Sequence, residues 1–133
     1  MPIALEMALR LLLAAALGAV IGYQRERAKK QAGLRTHILI CTGAALISLV
    51  SIYGFNGDSD PARVAASVVV GVGFLGAGVI LHREGGIVAG LTTAATIWVV
   101  AGIGLAAGTG LYILAAVTTA LVLGVLVMPR WLG

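Results

Sequence analysis

Five long and uninterrupted apolar runs limit what this chain of 133 residues can fold into. An α-helix of about 20 apolar residues, rising 1.5 Å per residue, crosses the roughly 30 Å hydrocarbon core of a bilayer. A membrane strand would instead alternate lipid-facing and lumen-facing residues, which continuous runs do not do. The runs predict transmembrane helices over about residues 4–23, 36–55, 63–81, 87–107 and 109–128.

The composition leads to the same fold class. Hydrophobic residues make up 60% of the chain and charged residues 11%, too few to cover the surface of a soluble domain. We therefore expect an all-α integral membrane protein, a bundle of five transmembrane helices. We also expect residues 1–133 to be one transmembrane domain without a soluble C-terminal domain.

Basic residues lie almost entirely on one side of the predicted bundle. Lys and Arg are enriched in short cytoplasmic loops. The residues on that side are Arg25, Arg27, Lys29, Lys30, Arg35, Arg83 and Arg130, and the other side has Arg63. This bias predicts the N-terminus outside and the C-terminus in the cytoplasm. The basic loop 24–35 is also suited to binding anionic membrane lipids.

Small residues recur along the predicted helices. Lipid tails are as apolar as leucine, so membrane helices associate by close packing, which small residues permit. The glycines predicted to lie at helix contacts are Gly18, Gly22, Gly71, Gly73, Gly76, Gly78, Gly102 and Gly104. The pattern does not separate contacts within one chain from contacts between subunits. We expect a homo-oligomer, with a dimer favoured.

A polar cluster is predicted at the cytoplasmic ends of helices two, three and four. Its candidate functional residues are Glu26, Arg35, Thr36, His37, Arg83, Glu84, Thr92 and Thr93. Helix N-termini favour anions, so an anionic ligand or a carboxylate of a partner protein is one interpretation. The other is simple capping of helices two and four by Thr36 and Thr92.

Carboxylates are scarce within the predicted membrane segments. Only Glu6 falls in an apolar run, and Arg10 four residues later predicts an ion pair on one helix face. No carboxylate falls at mid-membrane to line a pathway for Mg²⁺, which binds oxygen ligands. Nucleophile, base and acid are never grouped. We expect no enzyme activity, no cofactor, no metal site and no nucleic acid partner.

Three stretches resemble one known family. They read AGLRTH at 32–37, GVGFLGAGVI at 71–80 and GLTTAATIW at 90–98, and their order and spacing match the MgtC/SapB family of bacterial inner-membrane proteins. The resemblance implies a multi-pass domain in the bacterial cytoplasmic membrane and a link to magnesium limitation. It further implies regulation of other membrane proteins, with F-type ATP synthase as the suggested partner.

Two differences from that family affect the prediction. Many members carry a soluble C-terminal domain, and virulence-type members tend to have Asn where this chain has Thr92. The leading hypothesis is a regulatory membrane protein that binds other membrane proteins. The alternative is a transporter or channel for Mg²⁺ or another ion, formed by an oligomer and lined by the backbone of residues 71–78.

Overall fold

The computed structural model describes residues 2–55, 60–81 and 90–128, and these segments form five α-helices. The helices are α1 (Ile3–Arg27), α2 (Leu34–Tyr53), α3 (Pro61–Leu81), α4 (Leu91–Gly108) and α5 (Tyr112–Leu126). The first four are long and apolar enough to cross a membrane, and α5 is a shorter apolar helix of 15 residues. This architecture confirms the predicted all-α class, and its apolar helices are compatible with a membrane bundle.

Three of the approximate helix bounds predicted from sequence differ from the structure by three or four residues, each for a local reason. Helix α1 continues to Arg27, four residues past the predicted end at residue 23. A hydropathy pattern misses this extension because it treats the polar residues after residue 23 as loop. Helix α4 begins at Leu91 rather than at residue 87. Gly90 before it has a φ of +92°, a left-handed conformation that a right-handed helix cannot include. Gly110, with a φ of +89°, likewise delays α5 to Tyr112.

Helix α4 is the centre of the bundle, since it contacts each of the other four helices. Its close approach to α2 depends on two glycines. A Cβ built on Gly104 would meet the carbonyl oxygen of Cys41 and would lie 2.9 Å from the Cβ of Ala44. A Cβ on Gly108 would lie 2.8 Å from the carbonyl oxygen of Ala45. The two backbones are therefore in direct contact.

Helix α1 approaches α2 in the same way. A Cβ on Gly18 would lie 2.7 Å from the carbonyl oxygen of His37, and one on Gly22 would lie 2.9 Å from the Cα of Leu34. Gly76 of α3 is less crowded, because its Cβ would lie 3.4 Å from the Cβ of Ala94. These glycines let the helix backbones touch, as small residues do in membrane proteins.

The other glycines predicted to lie at helix contacts do not contact a neighbouring described helix. A Cβ built on any of Gly71, Gly73, Gly78 and Gly102 would meet nothing within 4 Å in the described part of the chain. Packing among the described helices does not account for these four positions. Contacts with another chain therefore remain a prediction for them.

Candidate functional site

A network of buried polar side chains joins α1, α2 and α4 at one end of the bundle. We call this end, formed by the loop of residues 28–33 and by Gly90 at the start of α4, the basic end. Arg25 is 3% exposed, and its Nη2 donates to the hydroxyl of Thr93 at 2.6 Å. The imidazole of His37, fully buried, contacts the hydroxyl of Thr96. Two side-chain contacts thus connect α4 to α1 and α2.

Both ring nitrogens of His37 contact an oxygen atom. Nδ1 lies 2.8 Å from the carbonyl oxygen of Gly33, which can only accept, so Nδ1 carries a proton and donates it to that oxygen. Nε2 lies 3.2 Å from the hydroxyl oxygen of Thr96. That hydroxyl donates its own hydrogen to the carbonyl oxygen of Thr93 at 2.8 Å. The buried imidazole therefore has a polar partner on both sides.

The N-terminus of α2 is capped from another helix. The Oε1 of Glu26, in the last turn of α1, accepts from the amide of Leu34 at 3.3 Å. The Cβ that any other residue would carry at Gly33 would collide with this carboxylate. The N-cap residues of α2 and α4 are Gly33 and Gly90, without a side-chain cap.

The predicted capping by two threonines is therefore wrong. Thr36 and Thr92 lie inside the first turns of α2 and α4, beyond the cap positions, and both are exposed. A threonine caps a helix only from the residue before its first helical position. The carboxylate of Glu26 and two glycines occupy the places that sequence reasoning gave to these hydroxyls.

The remaining predicted site residues divide into three groups. His37 and Thr93 are buried in the network, and Glu26 lies beside the start of α2. Arg35 is exposed, as are Thr36 and Thr92. Arg83 and Glu84 lie outside the described residues.

Sequence reasoning missed two members of the network. The basic-residue pattern predicts a cytoplasmic loop for Arg25, although it lies within α1 and is buried. Thr96 falls within a predicted apolar run. Its spacing of three residues from Thr93 was the available signal, since residues i and i+3 of a helix share a face.

A second polar cluster lies near the opposite end of the bundle. Arg10, 8% exposed, donates from Nη2 to Glu6 at 2.8 Å, which confirms the predicted ion pair. Its Nη1 donates to the carbonyl oxygen of Gly108 at 2.9 Å, and its Nε donates to the hydroxyl of Tyr112 at 3.0 Å. Arg10 thus joins α1 to the turn between α4 and α5, and its guanidinium is paired.

These clusters present hydrogen-bonding side chains. No group of three or more His, Cys, Asp and Glu residues that could hold a metal ion occurs in residues 2–55, 60–81 and 90–128. The single cysteine, Cys41, is buried at the contact of α1, α2 and α4. Hydroxyls, an imidazole and a buried guanidinium can hold an anion or a helix partner.

Comparison with known proteins gives relatives of similar sequence. The chain is 52% identical over 130 residues to YhiD of Escherichia coli strain K12, whose name proposes a magnesium transporter, covering 90% of this chain and 60% of the relative. It is 49% identical over 115 residues to MgtC of Salmonella typhimurium strain LT2, covering 86% and 48%. The chain thus spans about half to three fifths of these relatives' length.

An uncharacterized protein of Haemophilus influenzae is 44% identical over 122 residues, covering 86% of this chain and 51% of the relative. No solved structure matches the chain. The sequence model of the MgtC family matches residues 11–133, nearly the whole chain. On this match and these identities, the chain is a member of the MgtC family.

Proposed function

We propose that this chain is a regulatory protein of a bacterial inner membrane that acts by binding another membrane protein rather than by catalysis. Its N-terminus lies outside and its basic end in the cytoplasm, following the bias of Lys and Arg. The partner that the family resemblance suggests is F-type ATP synthase. Magnesium limitation is the condition in which the interaction acts.

The observation that carries the proposal is an apolar groove between α2 and α3, of about 460 Å³, at the surface of the bundle. Gly43 and Gly71 line this α2–α3 groove together with Ile47 and Leu75. A Cβ on either glycine would meet nothing within 4 Å in the described chain. A helical glycine costs about 1 kcal/mol relative to alanine, so an open pair of them favours a helix of another chain in the groove.

The test fills the groove. Gly71→Leu places a large apolar side chain in open space, so the bundle should fold at least as well as wild type. Gly124→Leu on α5 is the matched control, because Gly124 also has nothing within 4 Å of a built Cβ in the described chain and does not line the α2–α3 groove. Wild type and each variant also carry a photo-crosslinking residue at position 75. Crosslinking is done in native membranes from cells grown under magnesium limitation.

We expect wild type and G124L to crosslink to a subunit of F-type ATP synthase and G71L to lose that product. Recovery of only a second copy of this chain, at saturating crosslinking, would refute partner binding and favour the predicted homo-oligomer. An unchanged ATP synthase product in G71L would place the interaction outside the groove.

Ion transport is the second candidate, favoured by the name of YhiD, a relative 52% identical to this chain. The Glu6 carboxylate is paired with Arg10 at 2.8 Å, so a pathway would need backbone oxygens from several subunits. Magnesium flux into liposomes holding the purified chain, compared with empty liposomes, tests this. We expect no added flux, and flux that Gly73→Leu abolishes would replace the regulatory proposal.

A further inference from the structure

A buried arginine at the basic end has no anionic partner in the described chain. Nη2 of Arg25 donates to Thr93, but Nε is buried and makes no hydrogen bond there. The single salt bridge found in the described segments is that of Arg10 with Glu6. Because arginine stays protonated in proteins, Arg25 holds a positive charge among packed helices. Its Nε–H is a hydrogen-bond donor without an acceptor in the described chain.

The described carboxylates are occupied elsewhere. Glu6 pairs with Arg10 near the opposite end, Glu26 caps α2, and Asp60 accepts an amide hydrogen bond at the start of α3. Asp58 and Glu84 lie outside the described residues. Removing an ion from water without a partner costs several kcal/mol, so the charge of Arg25 calls for an anion.

The position of Arg25 along α1 indicates which anion is at hand. It lies 22 residues after Ile3, the first residue of α1. At 1.5 Å per residue this is about 33 Å, just beyond a roughly 30 Å hydrocarbon core and level with lipid phosphates. Exposed basic residues surround this end and raise the local concentration of anions. They are Arg27, Lys29, Lys30 and Arg35.

We propose that Arg25 and Thr93 form a binding site for a phosphate group, supplied by a lipid headgroup or by free phosphate. One phosphate oxygen accepts from the unused Nε–H of Arg25. The hydroxyl of Thr93, which accepts from Nη2, can donate its own hydrogen to a second oxygen. His37 and Thr96 hold this turn of α4 in place behind the site.

The loop of residues 28–33 connects the two helices that carry the site. The amide of Lys30 donates to the carbonyl oxygen of Arg25 at 3.1 Å, so the loop folds back on the end of α1. The side chain of Gln31 lies against Gly90 at the start of α4. The loop thus bridges the two helices that carry the site, and phosphate enters as this bridge opens.

The test compares Arg25→Gln with Arg27→Gln in the full chain. Arg27 is exposed and carries the same charge two residues away, so it controls for the loss of one positive charge. One probe is inorganic phosphate, titrated against the thermal unfolding of protein in a zwitterionic detergent. The other is a nanodisc containing phosphatidylglycerol, followed by native mass spectrometry of the lipid that stays bound.

We expect phosphate, or retained phosphatidylglycerol, to stabilise wild type and R27Q alike. Loss of a charge-assisted hydrogen bond should weaken binding to R25Q about tenfold or more. Without either probe, R25Q should unfold at no lower temperature than wild type, because it no longer buries an unpaired charge. If R25Q does not fold, Arg25→Lys, which keeps the charge and lacks the fork, should show the weakened binding instead.

A response to phosphate alone identifies free phosphate as the ligand, and a response to the lipid alone identifies the headgroup. Either supports the site. Equal responses of wild type and R25Q would overturn it, since binding would then belong to the exposed basic residues. A wild type that binds neither probe would also overturn it. Binding that then appears in a Glu84→Gln variant would identify Glu84 as the counter-ion of Arg25.

Discussion

Two glycines in α4, two residues apart, give a sharp test of how the bundle is held together. A Cβ on Gly102 would meet nothing within 4 Å in the described chain, whereas one on Gly104 would lie 2.9 Å from the Cβ of Ala44 and 3.0 Å from the carbonyl carbon of Cys41. Replacing either by alanine adds the same methyl group. Any difference in stability therefore reports the packing of α4 against α2.

The expected difference follows from these distances. Alanine gains about 1 kcal/mol of helix propensity at both positions. Non-bonded carbon atoms are best placed about 3.5–4.0 Å apart, and the added methyl group of Gly104→Ala would also meet the carbonyl oxygen of Cys41. Helices α2 and α4 must therefore separate by at least roughly 0.6 Å around it. Overpacking of this kind costs about 1–3 kcal/mol. We expect G102A to be about 1 kcal/mol more stable than wild type, and G104A to fall about 1–3 kcal/mol below G102A.

The measurement is reversible unfolding in mixed micelles, titrated with sodium dodecyl sulfate and followed by circular dichroism. The free energies of unfolding of wild type, G102A and G104A are compared under identical detergent conditions. G104A as stable as G102A would refute the direct backbone contact between α2 and α4. A destabilised G102A would mean that its open space is filled, either by another chain in the micelle or by a different helix arrangement.

Other predictions concern the two polar clusters and the buried thiol. Arg10→Gln breaks a partly buried ion pair and two further hydrogen bonds, so the same titration should give a loss of about 2 kcal/mol. A loss below about 1 kcal/mol would show that the cluster is hydrated. Thr96→Val removes the partner of His37 and should cost about 1–2 kcal/mol, against less than about 0.5 kcal/mol for the exposed control Thr92→Val. Equal effects of the two would contradict the network. Cys41 should resist a membrane-permeant maleimide until the bundle unfolds, and rapid labelling of the folded protein would contradict its burial.

The helices were predictable because a bilayer imposes one requirement, a continuous apolar length, that a single sequence displays directly. The Glu6–Arg10 pair was predictable for a similar reason, since both residues lie on one helix four positions apart. In both cases the signal and the structure are local. The helix ends that depend on a left-handed glycine, such as Gly90, escaped the hydropathy pattern because it contains no backbone angles.

The polar network was only half predictable. His37 and Thr93 are predicted as candidate functional residues because they are polar and lie near predicted helix ends. Their partners are far away in sequence. Arg25 lies 68 residues from Thr93, and His37 lies 59 residues from Thr96. Pairing across such separations is set by the packing of α4 against α1 and α2. The rule that basic residues lie in cytoplasmic loops also placed Arg25 outside α1, because charged residues are rare within membrane helices.

The central place of α4 has a consequence for biosynthesis. The helix that holds the partners of Arg25 and His37 is the fourth to leave the ribosome. Until it arrives, the ends of α1 and α2 carry polar groups whose hydrogen bonds must be supplied by water, headgroups or the insertion machinery. Nascent chains that stop before residue 91 should therefore stay associated with that machinery, and chains that extend past residue 108 should be released from it into lipid as a packed bundle.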